Sequence, residues 1–201
     1  MPRLQPIEWS LNKEEILKTA KNRVSTFCLL NKLEVPKIVV HTRQKWWFDS
    51  CAYYRPSKGI NLCLDKCASP CSSSQYRNWS WPGNTVDREP FGVVCHELGH
   101  HVDWSCSEVK YRYSGNLSST IRDKTNEDQI SGYCDNDCEW FAEMFRLFVT
   151  NHALLALLRP KTYREFCDLW KPVSSDDWLF ELGSNVPSRV ILAIRNKIKK
   201  I

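Results

Sequence analysis

Within Cys95-His96-Glu97-Leu98-Gly99-His100-His101, two histidines stand four residues apart with a glutamate directly after the first. Positions four apart on a helix project from one face, so His96 and His100 can aim their rings at a common point and supply half of a tetrahedral zinc site. Glu97 is turned about 100° from His96 around the helix. That is too far to complete the same ligand face, but close enough to serve as general base toward a metal-activated water. The chemistry within reach is metal-assisted hydrolysis of an amide. Without a metal the two histidines would simply pack or hydrogen-bond, and the five-residue pattern arises by chance in many proteins.

A third ligand is available downstream, in Glu139-Trp140-Phe141-Ala142-Glu143-Met144-Phe145-Arg146-Leu147-Phe148. Its two carboxylates lie four apart on one helix face, where like charges repel unless something positive sits between or beside them. Zinc supplies that charge if Glu139 ligates it, with Glu143 accepting a hydrogen bond from the far nitrogen of a ligand histidine. The alternative is that one or both glutamates face solvent or pair with Arg146. Asp103, two turns beyond His96 on the same face, is either a hydrogen-bond partner behind a ligand or a solvated or salt-bridged helix residue. His101 points away from the ligand face and reads as structural or exposed, while His41 and His152 have no constellation around them. Gly99 offers a place where another backbone can come close.

The ten cysteines form about 5% of the chain, below the roughly 8–10% of a disulfide scaffold, and read as thiols or metal ligands. Cys63, Cys67 and Cys71 are the densest cluster, and with Cys51 as fourth ligand they could hold a structural zinc that pins the irregular segment after them. Buried thiols or disulfides are the competing readings. Cys134 and Cys138 could join Cys106 or each other, and Cys28, Cys95 and Cys167 read as small core residues.

Elements must bring these groups together. Ser10 can cap a helix running to about Leu30, with Asn31 ending it before Pro36. Residues 37–42, 46–54 and 59–64 read as strands, the last two around the turn 55–59. Residues 65–89 form a loop rich in cysteine and aromatic residues, broken by Pro70, Pro82 and Gly83. Helices follow at about 90–105, 136–151, 153–158, 161–170 and 187–200, the last with Val190, Ile191, Ile194, Ile198 and Ile201 along one stripe that suits docking on a core. With no internal repeat and no linker, 1–201 reads as one α+β domain: a sheet region at about 35–64 followed by a mainly helical part over 90–201.

The pairing of His96-Glu97-Leu98-Gly99-His100-x-x-Asp103 with Glu139-x-Phe141-Ala142-Glu143-x-Phe145-Arg146-Leu147 resembles the gluzincin zinc metallopeptidases of the anthrax lethal factor type and their phage and bacterial relatives. The likeness covers about 90–170. It implies a zincin-like fold in which His96, His100 and Glu139 bind zinc and Glu97 is the base. It also implies that Tyr133, one residue nearer the third ligand than in the family, stabilises the oxyanion. A metzincin would need Gly where Asp103 stands and His or Asp where Cys106 stands, so that class is disfavoured.

Composition supports a folded protein: 42% of residues are hydrophobic, 25% charged and 12% aromatic, which excludes disorder and collagen. No apolar run is long enough for a transmembrane helix, and residues 1–8 lack a signal-peptide core, so the expectation is a cytoplasmic protein without a membrane partner. Net charge is +5. It is uneven, with Arg189, Arg195, Lys197, Lys199 and Lys200 unopposed at the end, and acids concentrated between Asp123 and Glu143. Trp46, Trp47, Tyr53, Tyr54, Trp79 and Trp81 precede the histidine motif and could pack a core, line a substrate groove or stack nucleic-acid bases. The expected activity is zinc-dependent peptide hydrolysis on a protein or peptide substrate. The competing class is a catalytically silent zinc module that docks nucleic acid or protein through its aromatic and basic surface.

Overall fold

The computed structural model describes residues 13–41, 50–67, 90–130 and 136–173. The first helix, α1 (Lys13–Leu30), buries Leu17, Ala20, Val24, Phe27 and Cys28, a stripe at helical spacing that faces the core. Its end is closed at Asn31, as the sequence suggests. The Asn31 amide donates to Phe27 O at 2.9 Å and, far along the chain, to Lys171 O at 3.0 Å.

Three strands form a mixed sheet in the order β1-β3-β2, with β1 at Ile38–His41, β2 at Ala52–Arg55 and β3 at Gly59–Cys63. β2 and β3 make an antiparallel hairpin, and β1 pairs with β3 in parallel, Ile38 opposite Ile60 and His41 opposite Cys63. Gly59 closes the hairpin at φ +74°, and a Cβ there would run into the carbonyl of Lys37. Only glycine suits both the backbone and the space. Because β3 is central, its alternation does not reach water: Asn61 and Cys63 are buried along with Ile60 and Leu62.

The helical part is built around α2 (Pro90–Cys106) and α4 (Asp137–Leu158), whose mutual contact is the largest among the described elements. α2 is buried from Pro90 through Gly99 and again at His101–Asp103, enclosed by α1, α4 and the sheet. α4 buries Trp140, Phe141, Ala142 and Met144, and also Phe145, Leu147, Phe148 and Val149. Phe27 from α1 meets Phe145 and Phe148 edge-on at 5.2 and 6.2 Å, and Phe166 and Trp170 complete an aromatic core. Each such ring contributes roughly 1.5–3 kcal/mol on leaving water.

The sequence suggests two helices, 136–151 and 153–158. They are one, because nothing in Asn151-His152 breaks the backbone ladder. The helix stops at Arg159 (φ −137°, ψ 69°), the residue before Pro160, where helical geometry clashes with the proline ring. Pro160 then opens α5 (Pro160–Leu169). Between α2 and α4 lie elements that the sequence did not announce, the short hairpin β4 (Lys110–Tyr111) and β5 (Ser114–Gly115), and α3 (Leu117–Thr125). No helix among the described residues is long and apolar enough to cross a membrane. The expected strand residues 46–49, the 68–89 part of the loop and the 187–200 helix lie outside the described residues.

Candidate metal centre

Gly99 sits between His96 and His100 on α2, and Ala142 sits between Glu139 and Glu143 on α4. These two small residues are where the helices cross: a Cβ placed on Gly99 would lie 2.7 Å from Ala142 Cα. The close approach brings both pairs of polar side chains face to face.

His96 Nε2 lies 3.0 Å and His100 Nε2 3.5 Å from Glu139 Oε2. One donor atom from each of the three residues falls within 4.8 Å of the others, the only such group of three among the described residues. The His96 and His100 rings stand edge to face with centroids 4.9 Å apart. Behind them, His96 Nδ1 donates to Glu143 Oε1 at 2.8 Å. Glu143 in turn is held by a two-pronged bond from Arg146, Nε to Oε1 at 3.0 Å and the terminal nitrogen to Oε2 at 3.1 Å. The site therefore has a sealed back and an open front. Glu143 and Arg146 are fully buried, whereas the side chains of His100 and Glu139 keep 17% and 24% of their exposure.

The electrostatics favour positive charge at this point. Burial opposes a charge on His96, but carboxylates at both ring nitrogens outweigh it and hold the imidazolium up to about 10. Burial likewise pushes Glu143 and Glu139 upward, and is outweighed. Arg146 and His96 hold Glu143 down at about 2, and the two histidines hold Glu139 far below the carboxylate range. A divalent cation among His96, His100 and Glu139 would supply the same charge, displacing the Nε2 proton while Glu143 keeps the Nδ1 proton in place. Two imidazoles and a carboxylate are a zinc-type donor set, so the residues fit that ion.

Glu97 lies on the neighbouring stripe of α2 and is buried. Burial raises its pKa, opposed by the two histidines, while the nearby Glu139 adds to the rise and the neighbouring backbone of Tyr54 in β2 lowers it slightly. Its Oε2 atom has no hydrogen-bond partner among the described residues. Tyr54 also ties β2 to α2 through its side chain, since its hydroxyl lies 3.2 Å from His101 Nδ1. His101 Nε2 donates to Glu34 O at 2.9 Å, so Nδ1 is the acceptor of the Tyr54 proton. His101 is thus structural, as expected, and burial lowers its pKa. Tyr54's backbone role had no signal in the sequence beyond a place in an aromatic run.

Other expectations fare differently. Asp103 does not stand behind a ligand histidine. Its Oδ1 accepts from Ser118 N at 2.8 Å and Ser107 Oγ at 3.4 Å, and its Oδ2 from Gly115 N at 3.0 Å, so it anchors β5 and the start of α3. Two helical turns carry it past the crossing, to where the chain returns. Glu143 pairs with Arg146 and bonds His96 as well, so the two readings offered for it are both realised. Among the described residues Cys51, Cys63 and Cys67 are not gathered as metal ligands. Cys51 Sγ donates to Lys66 O and Cys67 Sγ to Cys63 O, which turns these thiols toward the backbone of the 3-10 turn Leu64–Lys66. Cys167 is exposed, not core, while Cys28 and Cys95 are buried. No disulfide joins the described cysteines, and Cys138 Sγ sits 3.8 Å from Ser118 Oγ. Tyr133, Cys71 and Cys134 lie outside the described residues.

Compared with protein-family models, curated proteins and solved structures, the chain matches none. The case for a function rests on the site itself.

Proposed function

We propose that this chain is a zinc-dependent metallopeptidase of zincin-like fold, with His96, His100 and Glu139 as zinc ligands and Glu97 as general base. The observation that carries the reading is the α2–α4 crossing, which gathers three zinc-type donors near a buried carboxylate, Glu97, whose Oε2 has no hydrogen-bond partner among the described residues. When bound, the ion supplies a Lewis acid that polarises a carbonyl and lowers the pKa of water to about 7.

The protein's own residues do the rest. Glu97 Oε2 takes the proton of the attacking water and passes it to the leaving amine, and its burial raises its affinity for that proton. Glu143, clamped by Arg146, orients His96 so that Nε2 faces Glu139. Among the described residues β2 lies at the edge of the sheet, and its Tyr54 backbone runs close to Glu97. An extended peptide can add to such an edge with its backbone running past the base. A silent structural site assigns no role to Glu97, whereas the hydrolytic reading gives its buried Oε2 one.

Elemental analysis of protein purified without added metal, together with cleavage of a mixed quenched-peptide library, tests the reading. Wild type carries one zinc at this site and cleaves. Glu139→Gln loses that zinc, whereas Glu97→Gln keeps it and loses about 10²–10⁴-fold in rate. Equal cleavage by Glu97→Gln, or zinc unaffected by Glu139→Gln, would overturn the assignment.

A further inference from the structure

The stripe of α2 that carries Glu97 continues through His101, Trp104 and Ser105, and these three residues form one wall of a groove of about 670 Å³. The groove is polar, and its rim carries Lys37, Lys58 and Lys110, all exposed. Glu34 is the single acid among its lining residues, and Glu108 is the exposed acid next to it on the hairpin side.

Beside the groove, cations lie over aromatic rings. Arg55 sits 5.2 Å from the centroid of Tyr53 and 5.6 Å from that of Tyr113, Lys110 lies 5.6 Å from Trp104, and Arg112 lies 5.4 Å from Tyr111. Tyr111 and Tyr113 are 69% and 58% exposed, on either side of Arg112, which turns the β4–β5 hairpin at φ +54°. None of these five cations forms an ion pair among the described residues.

Exposed rings paired with cations, where a solvated surface would pair the cations with carboxylates, is a particular chemistry. Cations alone would suit any polyanion, including an acidic peptide, and a duplex hides its base faces. The exposed Tyr111 and Tyr113 and the half-buried Trp104, beside cations that form no ion pair among the described residues, suit a strand that offers phosphates and unstacked bases together. We propose that this face binds single-stranded nucleic acid, with phosphates tracking Lys37, Lys58 and Lys110 and bases stacking on Tyr111, Tyr113 and Trp104. The site uses none of the metal ligands and stands whether or not the peptidase reading does.

The test is fluorescence anisotropy of the full chain with labelled oligothymidylate and oligouridylate of about twenty nucleotides, long enough for one site. A duplex and a polyglutamate peptide of matched length are the controls. Both single strands bind at least tenfold more tightly than either control. Tyr111→Ala with Tyr113→Ala weakens single-strand binding by about fivefold or more per ring, and neither substitution touches the core. Lys58→Ala with Lys110→Ala flattens the slope of log affinity against log salt by about 0.7 for each phosphate that is no longer neutralised. Three results would each overturn the proposal: no single-strand binding at about 50 mM salt, polyglutamate binding as tightly as the strands, or single-strand binding unchanged in both double variants. The last would assign the strand to the basic residues between Arg189 and Lys200.

Discussion

Glu97 and Asp103 are buried carboxylates on one helix, and their surroundings use them in opposite ways. At the C-terminal end of α2, Asp103 is fully enclosed and both its oxygens are engaged, by two backbone N–H groups and a hydroxyl. At the crossing with α4, Glu97 is buried as well, and its Oε2 has no hydrogen-bond partner among the described residues. The energetic penalty of burying a carboxylate is offset at Asp103 by the corner it organises: β5, Ser107 and the first turn of α3. Among the described residues Glu97 has no comparable set of donors. Asp103 is a part of the fold, and under the proposed reading Glu97 is instead the group that meets the attacking water.

Four substitutions break or sharpen that contrast. The largest effect belongs to Arg146→Met, which leaves Glu143 buried with its carboxylate short of a cation. Urea unfolding is expected to show a loss of about 3–5 kcal/mol, with zinc content falling because His96 is no longer held. A loss below about 1 kcal/mol would mean that Glu143 does not depend on Arg146. Asp103→Asn places an amide donor against backbone donors and is expected to cost about 1.5–3 kcal/mol while zinc content stays at the wild-type level. Loss of zinc in that variant would tie Asp103 to the metal centre after all. Gly99→Ala sets a methyl 2.7 Å from Ala142 Cα and 3.2 Å from its Cβ. The helices must move apart, at about 1–2 kcal/mol net of the roughly 1 kcal/mol that alanine gains in helix propensity, and metal affinity drops with the widened crossing. The smallest effect is on Glu97→Gln. Measured in excess chelator, its stability is expected to equal or exceed that of wild type, by about 1 kcal/mol or less, since a buried charge short of partners is removed. A fall matching that of Asp103→Asn would erase the distinction between the two residues.

The crossing was legible because its information is local. His96 and His100 declare a helix face, Glu139 and Glu143 declare another, and Gly99 marks the point of contact, so pattern and chemistry agree. Helix α5 was legible for the same reason, since Pro160 fixes its first residue within one position of the expected start. What escaped was set by groups distant in sequence. The β4–β5 hairpin and α3 have little apolar periodicity, and they take their places from Asp103, twelve and fifteen residues before the N–H groups it holds. The parallel pairing of β1 with β3 leaves no mark on either strand, because such a register depends on what lies between them. The bond between His96 and Glu143 and the approach of the Tyr54 backbone to Glu97 are likewise visible only once separate elements are packed.

Asn31 carries one further consequence, concerned with time. Its side chain donates to Lys171 O and accepts from Lys171 N at 2.7 Å, across 140 residues of sequence. During synthesis α1 leaves the ribosome well before α5, and the bonds that close its end wait until the chain beyond α5 has emerged. Phe27 waits similarly for Phe145 and Phe148. With so much of its packing deferred, α1 is made before α4 and α5 but secured only with them, through contacts of long sequence separation.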